Sequence, residues 1–498
     1  MATQRATDLH SETQSFLGSE PLGLFIDGRQ RPAASNLTFE TVDPGSGDVL
    51  ARVAQGESTD VDRAVESARR AFRESGWATL AAGERGILLH RLADLVDDHS
   101  RTLAELESLD VGKPLGQAQW DVGHFSATMR FYADLAVAAR RREPLPVSRH
   151  DARLVRRPYG VCGFVLPWNF PFLLAGWNLS PALAAGNTVV VKPAEDTPLS
   201  TLYLTKLVQE AGIPDGVVNV VTGFGATAGA SLSRHAGLSR MGFTGSPEVG
   251  RLVAEACGRN LVPVKLELGG KGAAIIFEDA PIEATASALV QAVTLNSGQV
   301  CCTATRWVLH ESVYDRFVEC AIGQMQALKI GYWSDSETQM GPLVSPKQVR
   351  RVLGYLEKAR EQGAEAVLTG GRAQISGLEG GCYVKPAILA GPPENVAARE
   401  EIFGPVPYLM KFRSEPEAID LVNRSAYGLA NSVWSQDLER AGRVAESLVA
   451  GNGWINAHNV FVHGVPYAGV NLSGMGGGVL GQETLFDYLR PQSIVRPL

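Results

Sequence analysis

Apolar residues recur every three or four positions along three early segments, 58–78, 82–109 and 116–139. This spacing places them on one face of a helix, so the pattern predicts three amphipathic helices. Ahead of them, residues 25–53 contain short apolar stretches cut by Asp-Gly and Pro-Gly turns. Such punctuation indicates short strands at the edge of a sheet.

Farther along, continuous apolar runs alternate with helical segments. The runs VCGFVLP, NTVVVKP, GVVNVVTG, RMGFTG and GAAIIF have the character of buried strands, and helical spacing fills 200–212, 226–236 and 247–258. Buried strands separated by helices are typical of βαβ units, a parallel sheet and an α/β fold that can bind a dinucleotide. A second alternating set predicts another α/β domain, with helices at 281–297, 311–327, 346–362, 415–424 and 436–447.

Length and charge narrow the class of protein. A chain of 498 residues exceeds the roughly 250–300 residues that one core organises, which predicts at least two domains. The formal net charge is −7, and no basic stretch offers a footprint for nucleic acid. No apolar run approaches the roughly 20 residues needed to cross a bilayer, and no signal or transit peptide is recognisable. We expect neither a nucleic-acid partner nor a membrane one.

The stretch NSGQVCCTATR places Cys301 and Cys302 side by side after a Gly-Gln turn. The pair is compatible with a metal clip, a redox pair, two small buried hydrophobic residues, or a nucleophile with a neighbour. The six cysteines form no CxxC pair and no Cys/His spacing typical of a metal site. We therefore expect no metal, and a reducing, cytoplasmic setting.

Two further stretches carry groups that catalysis uses. In VKLELGGKG, Glu267 is followed by two glycines, so its carboxylate is a candidate general base; the alternative is a solvent-facing residue of an edge strand. In PWNFPF, the amide of Asn169 is a candidate donor to an oxyanion; the alternative is a proline-rich turn with aromatic anchors. Neither stretch decides between its alternatives by itself.

Three stretches suit a dinucleotide. In VVVKPAED, Lys192 and Glu195 are placed to hold ribose hydroxyls, or they form a solvated charge pair. GFTGSPEVG predicts a strand, a Gly-Ser turn and a helix start, where a phosphate can bind, although an ordinary capped helix has the same pattern. GFGATAG is a weak glycine match.

These stretches occur together in a characteristic order. PWNFP, KPAEDTPL, GFTGSPEVG, LELGGK, GQVC and EEIFGPV follow one another within about residues 22–495, and the chain thereby resembles the NAD(P)-dependent aldehyde dehydrogenase superfamily. The resemblance unites separately weak signals into one site. It favours the catalytic interpretation of Cys301, Glu267 and Asn169 over the structural alternatives.

The resemblance implies a role for each matching residue. Cys301, the second residue after Gly-Gln, becomes the nucleophile, and Cys302 only its neighbour. Glu267 becomes the general base, while Asn169 and the Cys301 backbone N–H form the oxyanion hole. The implied cofactor contacts are Trp168, Lys192, Glu195, Gly225, Gly245, Ser246, Glu401 and Phe403. The implied substrate tunnel is lined by Trp120, His124, Phe170, Leu173, Leu174, Trp177, Leu295, His458 and Phe461.

The implied reaction is attack by a thiolate on an aldehyde, hydride transfer to nicotinamide, and hydrolysis of the thioester to a carboxylate. Relatives that acylate coenzyme A typically lack the glutamate, so Glu267 favours the hydrolytic branch. An acidic residue at Glu195 repels a 2′-phosphate, which favours NAD over NADP. The aromatic tunnel is compatible with an aryl, medium-chain or semialdehyde substrate. His124 and His458 fit equally well as structural histidines.

The resemblance also implies a domain organisation and a homodimer or homotetramer. The fold class is α/β, with a Rossmann-like parallel-sheet cofactor domain, a second α/β catalytic domain and a small β element for oligomerisation. The predicted boundaries are 1–20 for a frayed N-terminal tail, 21–139 and 159–267 for the NAD-binding domain, 268–475 for the catalytic domain, and 140–158 with 485–498 for the oligomerisation strands.

The C-terminal signature departs from the family. Asn471, Gly477 and Gly478 stand where most relatives carry a lysine, an arginine and a glutamate, and Asn178 replaces a lysine that pairs with that glutamate in many members. Both partners of a proton-relay pair are thus lost together, as expected if one unpaired buried charge is costly. Our hypothesis from the sequence is that Glu267 exports its proton through water with an altered pH dependence.

The same departure has two other consequences. The glycine-rich loop GMGGG is either mobile or closely approached by another backbone. It also motivates an alternative function, a dehydrogenase-like protein with a binding or structural role and little turnover. Retention of Cys301, Glu267 and Asn169 together argues against that alternative.

Overall fold

The computed structural model describes residues 9–19 and 21–498. The helices are α1 (Ser11–Leu17), α2 (Ser58–Glu74), α3 (Ala82–Asp98), α4 (Ser100–Val111), α5 (Leu115–Ala138), α6 (Pro171–Ala185), α7 (Leu199–Glu210), α8 (Ala230–Arg234), α9 (Pro247–Arg259), α10 (Ile282–Thr294), α11 (Tyr314–Ala327), α12 (Pro346–Glu361), α13 (Val396–Arg399), α14 (Glu415–Asn423), α15 (Leu438–Ser447) and α16 (Gln482–Asp487).

The strands alternate with these helices over most of the chain. They are β1 (Leu24–Ile26), β2 (Arg29–Arg31), β3 (Thr38–Val42), β4 (Val49–Ala54), β5 (Arg142–Pro144), β6 (His150–Pro158), β7 (Val161–Val165), β8 (Thr188–Lys192), β9 (Val218–Val220), β10 (Arg240–Gly245), β11 (Val264–Leu268), β12 (Gly272–Ile276), β13 (Ala304–His310), β14 (Glu365–Leu368), β15 (Gly371–Arg372), β16 (Val384–Lys385), β17 (Ile388–Ala390), β18 (Tyr408–Phe412), β19 (Ala430–Trp434), β20 (Asn452–Ile455), β21 (Gly474–Met475) and β22 (Leu489–Pro497).

The first large sheet has the order β2-β1-β9-β8-β7-β10-β11-β21. Its five central strands, β9 to β11 in that order, are parallel, and β21 adds antiparallel to β11. The chain leaves β7 toward β8 and β9 on one side and later returns to β10 and β11 on the other. This reversal opens a crevice at the carboxyl ends of β7 and β10, where open α/β sheets bind ligands.

The second large sheet has the order β14-β17-β18-β13-β12-β19-β20 and is parallel except for its first pair. The chain ends β11 at Leu268 and begins β12 at Gly272, so the two sheets meet at this short connection. The amino ends of β12 and β13 thereby face the crevice of the first sheet. Groups placed at this junction can act on a ligand held there.

A third, smaller sheet lies outside the two large ones. β6 pairs antiparallel with β5 on one side and with β22 on the other, from Leu489 opposite Pro158 to Pro497 opposite His150. The predicted C-terminal strand over 485–498 begins later than expected, because α16 occupies Gln482–Asp487.

The prediction of a frayed N-terminal tail is wrong where the structure describes it. Ser11–Leu17 forms α1, in which Thr13 is buried. The Thr13 hydroxyl donates a 2.6 Å hydrogen bond to Glu105 Oε2, and the backbone N–H of His10 donates to the same oxygen at 2.9 Å. These bonds hold the segment on α4. Residues 1–8 and 20 of the predicted tail lie outside the described residues.

Two helical predictions also need correction, and one helix was not predicted. The predicted helix at 82–109 is two helices that meet at His99, and the one at 226–236 is a π turn followed by α8. The pattern also did not reveal α6, because every residue of Pro171–Ala185 is buried. A helix that is apolar on all sides has no amphipathic period to detect.

Candidate active site

A cavity of about 1980 Å³ lies at the junction of the two large sheets. Its wall includes residues that follow β7, β8, β10 and β11, as expected for the crevice. The predicted site residues on the wall are Trp120, Trp168, Asn169, Phe170, Leu173, Leu174, Trp177, Lys192, Glu195, Gly225, Gly245, Ser246, Leu295, Cys301, Glu401, Phe403 and Phe461. Glu267, His124 and His458 lie behind the wall.

The turn before Cys301 has an uncommon backbone conformation. Asn296, Ser297 and Gly298 have consecutive positive φ angles of 46°, 56° and 77°. A Cβ atom at Gly298 would lie 2.2 Å from the carbonyl carbon of Gly404, so this position accepts only glycine. The glycine of the Gly-Gln motif therefore allows the turn to approach a second backbone closely.

The glutamine of the same motif anchors the turn. Gln299 Nε2 donates to the Asn296 carbonyl at 3.0 Å, and its Oε1 accepts a 2.9 Å hydrogen bond from the Val344 N–H. Asn169 Nδ2 donates to the Gln299 carbonyl at 3.0 Å, while Asn296 Nδ2 donates to the Asn169 carbonyl at 2.8 Å. An amide nitrogen carries two hydrogens. The Gln299 carbonyl accepts one of the two Nδ2 hydrogens of Asn169, which leaves the other to donate to a ligand.

The two adjacent cysteines have different surroundings. Cys301 is partly exposed on the cavity wall, and its Sγ lies 3.8 Å from the hydroxyl of Tyr467. Cys302 is 1% exposed, and its thiol donates to Asn459 Oδ1 at 3.4 Å. The Cys302 thiol and burial together raise the pKa of Cys301 well above its usual range. Both residues border the cavity, but the Cys301 thiol is the more exposed, whereas the Cys302 thiol is buried and bonds to Asn459.

Glu267 lies on β11 directly behind the cavity wall and is 7% exposed. Neither of its carboxylate oxygens has a hydrogen-bond partner among residues 9–19 and 21–498. Burial raises the pKa of Glu267, the ammonium of Lys265 opposes this, and the charge of a Cys301 thiolate adds to it. The carboxylate is thus close enough to Cys301 for their charges to interact, and its raised pKa suits a general base that must take up a proton.

Lys192 and Glu195 form an ion pair at the carboxyl end of β8. Lys192 Nζ lies 2.7 Å from Glu195 Oε2, and the Gly225 N–H donates to Glu195 Oε1 at 3.3 Å. Burial acts to raise the pKa of Glu195, but the ammonium and these hydrogen bonds together lower it below its usual value. The strand, turn and helix start predicted near Ser246 are also present, since its hydroxyl caps α9 by accepting from the Val249 N–H at 3.4 Å.

Glu401 packs against the two glycines that follow β11. The Gly270 N–H donates to Glu401 Oε1 at 2.8 Å, and a Cβ at Gly269 would lie 2.3 Å from Glu401 Oε2. Burial raises the pKa of Glu401 to about 7. Close by, the rings of Trp168 and Phe403 meet edge to face with centroids 5.2 Å apart. Gly269 is therefore needed for the carboxylate of Glu401 to enter the site, and Gly270 lets the backbone approach the Cys301 carbonyl, 2.4 Å from where its Cβ would lie.

The passage to Cys301 is aromatic at its inner end. Trp177, Phe461 and Tyr467 form a triangle whose ring centroids lie 5.3 to 5.5 Å apart. Trp120 lies nearer the outside, with 49% of its surface exposed. A flat ring entering the passage would therefore meet ring faces and edges on its way to Cys301.

The structure corrects the prediction that His124 and His458 line the tunnel. His458 is held by Ser432 Oγ at 2.9 Å from Nδ1 and by the Cys302 carbonyl at 2.9 Å from Nε2, and burial lowers its pKa to about 4. His124 stacks on Trp120 with ring centroids 4.9 Å apart, behind the wall. His458 is a structural histidine beneath the cysteine turn, and His124 supports an aromatic wall residue.

Parts of the site that depend on distant contacts could not be predicted from the sequence. The anchoring bonds of Gln299 and the place of Tyr467 beside Cys301 are of this kind. Lys265 was predictable, because the alternation in VKLEL places it on the same strand face as Glu267. That period of two was the signal available.

Residues 9–19 and 21–498 contain no group of three or more His, Cys, Asp and Glu side chains arranged to hold a metal ion. In the same residues, no helix has the length and apolar character required to cross a membrane.

Comparison with known proteins identifies the family. The model of the aldehyde dehydrogenase family matches residues 31–494, nearly the whole chain. The chain belongs to the aldehyde dehydrogenase family. This confirms the family suggested by the motifs, and it makes the protein an oxidoreductase enzyme.

Individual aldehyde dehydrogenases align over the same length. The mitochondrial aldehyde dehydrogenase of Leishmania tarentolae is 44% identical, with 95% of this chain and 94% of the relative covered. The mitochondrial benzaldehyde dehydrogenase of Antirrhinum majus is 40% identical, covering 95% and 89%. The NAD+ complex of an aldehyde dehydrogenase from Bacillus cereus superposes with a TM-score of 0.95 at 37% identity, covering 99% of each chain. The α/β fold class is confirmed.

Proposed function

We propose that this aldehyde dehydrogenase oxidises an aldehyde to the carboxylic acid with NAD, by hydrolysis of a thioester on Cys301. One observation carries the proposal: a reachable thiol and an anchored amide line the inner end of the cavity, with a buried unpaired carboxylate directly behind its wall. These are Cys301, Asn169 and Glu267. Their chemistry corresponds to a nucleophile, an oxyanion donor and a general base.

In the first half of the reaction, Cys301 Sγ gives its proton to water in the cavity and bonds to the carbonyl carbon of the aldehyde. The negative charge that develops on the oxygen is stabilised by the second Nδ2 hydrogen of Asn169 and by the Cys301 backbone N–H. Bound NAD would supply the acceptor for the hydride that leaves this carbon, and Cys301 would then hold a thioester.

In the second half, a water molecule attacks the thioester carbon while Glu267 takes its proton. The bond between the carbon and Sγ breaks, the carboxylic acid leaves, and Cys301 is free again. A carboxylate without hydrogen-bond partners is a stronger base than one that is already satisfied, which suits Glu267 to this step.

The crevice of the first sheet suits NAD in its charges and donors. Lys192 and Glu195 would hold the adenine ribose, and the start of α9 at Ser246 would face the pyrophosphate with the positive end of the helix dipole. Glu401, beside Phe403 and Trp168, would accept hydrogen bonds from the nicotinamide ribose. Gly225 and Gly245 line the same crevice. The Bacillus cereus relative, solved as an NAD+ complex, supports this assignment.

Removing the charge of Glu195 is expected to weaken the preference for NAD over NADP. In the Glu195→Gln variant, the repulsion of a 2′-phosphate is lost, and kcat/KM for NADP relative to NAD should rise about tenfold or more. Initial rates with each cofactor measure this ratio. Glu248→Gln, which changes a cavity carboxylate that does not pair with Lys192, is the control. An unchanged ratio in Glu195→Gln contradicts the assignment.

The aromatic triangle favours an aryl aldehyde over a medium-chain aldehyde or a semialdehyde. The similarity to a benzaldehyde dehydrogenase supports this choice. We test it by measuring NADH formation with benzaldehyde, octanal and succinic semialdehyde, with Cys301→Ala as the blank. Benzaldehyde is expected to have the highest kcat/KM. A higher value for octanal or the semialdehyde contradicts the aryl assignment, and no NADH from any aldehyde contradicts the proposed activity.

The domain boundaries and the assembly are part of the proposal. The two large sheets divide between 268 and 272, which supports a boundary near 267, although β21 returns to the first sheet. We assign the sheet β22-β6-β5 to contacts within a homodimer or homotetramer, because it lies outside both large sheets and exposes Val147 and Val495. Sedimentation measures the assembly. All six cysteines are free thiols, which supports a cytoplasmic location.

A further inference from the structure

A buried lysine with no role in the reaction above lies beside Glu267. Lys265 and Glu267 are alternate residues of β11 and project from the same face of the sheet. Lys265 is 0% exposed, and its Nζ, like both oxygens of Glu267, has no hydrogen-bond partner in the described chain. An unpaired buried ammonium is costly, so its place beside an unpaired carboxylate indicates a functional pair.

Asn178, which replaces a charged family residue, lies on the same face. Lys265 is in register with Gly242 on β10, and a Cβ at Gly242 would lie 3.4 Å from Asn178 Oδ1. Asn178 and Lys265 are therefore neighbours across the space left by the glycine side chain. The positive charge missing from α6 is present one strand away, on β11.

On the side away from Glu267, the neighbours of Lys265 lie progressively nearer the protein surface. The Tyr488 ring lies 5.8 Å from Lys265 Nζ, and the preceding residue, Asp487, has a side chain that is 33% exposed. Arg240 Nη2 lies 3.9 Å from Asp487 Oδ2 and donates to the Gly476 carbonyl at 3.2 Å. The charges of Glu267, Arg240 and Asp487 all act on Lys265. Charged groups thus lie along a line from Glu267 through Lys265 and Arg240 to the partly exposed Asp487.

The glycine loop, residues 474–478, covers this series. A Cβ at Gly476 would lie 2.0 Å from the Val264 carbonyl, and one at Gly477 would lie 2.1 Å from Asp487 Oδ2. A Cβ at Gly478 would lie 2.5 Å from the Tyr467 carbonyl. Of the two alternatives for this loop, the close approach of another backbone is therefore correct for Gly476 and Gly478, whereas Gly477 approaches the Asp487 side chain. Neither the arginine nor the glutamate of other family members has room here.

We propose that Lys265 is the proton-exchange partner of Glu267, and that the two residues pass the proton released by thioester hydrolysis toward Asp487 and the surface. The proposal rests on the proposed function, because it requires Glu267 to be the base. It replaces direct export from Glu267 to water with a path through a second buried group. Lys265 acts through Glu267 and is a positioning residue.

Each hydrolysis releases one proton, and the exchange between Glu267 and Lys265 accounts for it. Before hydrolysis, Glu267 is a carboxylate and Lys265 an ammonium. When Glu267 takes a proton from the attacking water, its negative charge no longer stabilises the ammonium, and the buried amine releases a proton toward Asp487. Glu267 then passes its own proton to the neutral amine, by way of a water where the two do not touch. The starting pair is restored and one proton has left.

The groups that set this exchange come from several elements. Facing Lys265 are Glu267 on β11, Arg240 on β10, Asp487 on α16 and Tyr488; Cys301 faces Glu267; Cys162 and Tyr132 face Tyr488. Burial lowers the pKa of Lys265 and raises the pKa of Glu267, which brings the two groups toward the same range, as exchange requires.

The test is the pH profile of Lys265→Met. Loss of the ammonium raises the pKa of Glu267, so the acid limb of kcat should move to higher pH by about one unit or more. Steady-state kcat at pH 7 should fall at least about tenfold, while the first turnover still yields one NADH per subunit. Lys113→Met, which removes another fully buried lysine, is the matched control and should leave the limb in place. An unmoved limb with kcat within twofold of the parent overturns the proposal.

The Lys265→Arg variant separates the effect of the positive charge on Glu267 from the transfer of a proton by Lys265. A guanidinium keeps the positive charge but does not release a proton near neutral pH. The acid limb of the kcat profile should therefore lie at the same pH as in the parent, while steady-state kcat remains low. Full turnover by this variant overturns the proposal, and it does so even if Lys265→Met fails to fold. Loss of the first turnover in Lys265→Met also overturns it. Absence of NADH formation by the parent protein refutes the proposed function instead.

Discussion

Replacing Cys301 by alanine should abolish NADH formation from every aldehyde, whereas replacing Cys302 by alanine should leave most of the turnover. The expected loss in Cys301→Ala is about 10⁴-fold or more in kcat/KM, because the covalent bond to the substrate can no longer form. The Cys302 thiol donates to Asn459 and the Cys302 carbonyl bonds to His458, so this almost fully buried residue holds the turn in place.

The matched pair of variants is informative because the two residues are adjacent and chemically identical. Cys302→Ala removes a buried side chain and should reduce stability by about 1–2 kcal/mol, visible as a lower Tm without loss of kcat. Iodoacetamide in stoichiometric amount should label Cys301 and stop turnover in the parent and in Cys302→Ala. Inactivation of Cys302→Ala with normal folding, or activity in Cys301→Ala, would reverse the assignment.

Replacing Glu267 by glutamine should slow steady-state turnover by about 10²–10⁴-fold, because the water that hydrolyses the thioester loses its base. The first turnover does not need that water, so one NADH per subunit should still appear rapidly. Rapid-mixing measurement of NADH absorbance separates the two phases. A variant that loses the first phase as well would show that Glu267 acts before hydrolysis.

The pH dependence gives a second signature of the same residue. Burial raises the pKa of Glu267 above its ordinary value, and a base acts only when deprotonated. Steady-state kcat of the parent should therefore fall as pH drops through this raised pKa and should be steady above it. Glu267→Gln lacks the group and should lose this limb. A limb of unchanged shape in the variant would assign it to another residue.

The order of motifs along the chain was enough to identify the family. Short local patterns such as GQVC and LELGGK report which residue types are present and how far apart they are. Strand and helix periods similarly predicted the α/β class and most helices of the two large units. The prediction failed for α1, which contacts α4 about 90 residues away, and for α6, whose full burial hides its period.

By itself, the sequence determined the α/β class, the family and the residue types available for catalysis, because periodicity and motif order are local properties of the chain. Only the tertiary structure decided which of these residues share a site. The Asn169 amide donates to the Gln299 carbonyl, 130 residues away in the sequence. Both ring nitrogens of His458 are hydrogen-bonded beneath the cysteine turn. It also decided that Glu267 and Lys265 are buried without partners, because burial depends on strands and loops that pack against β11 from distant parts of the chain.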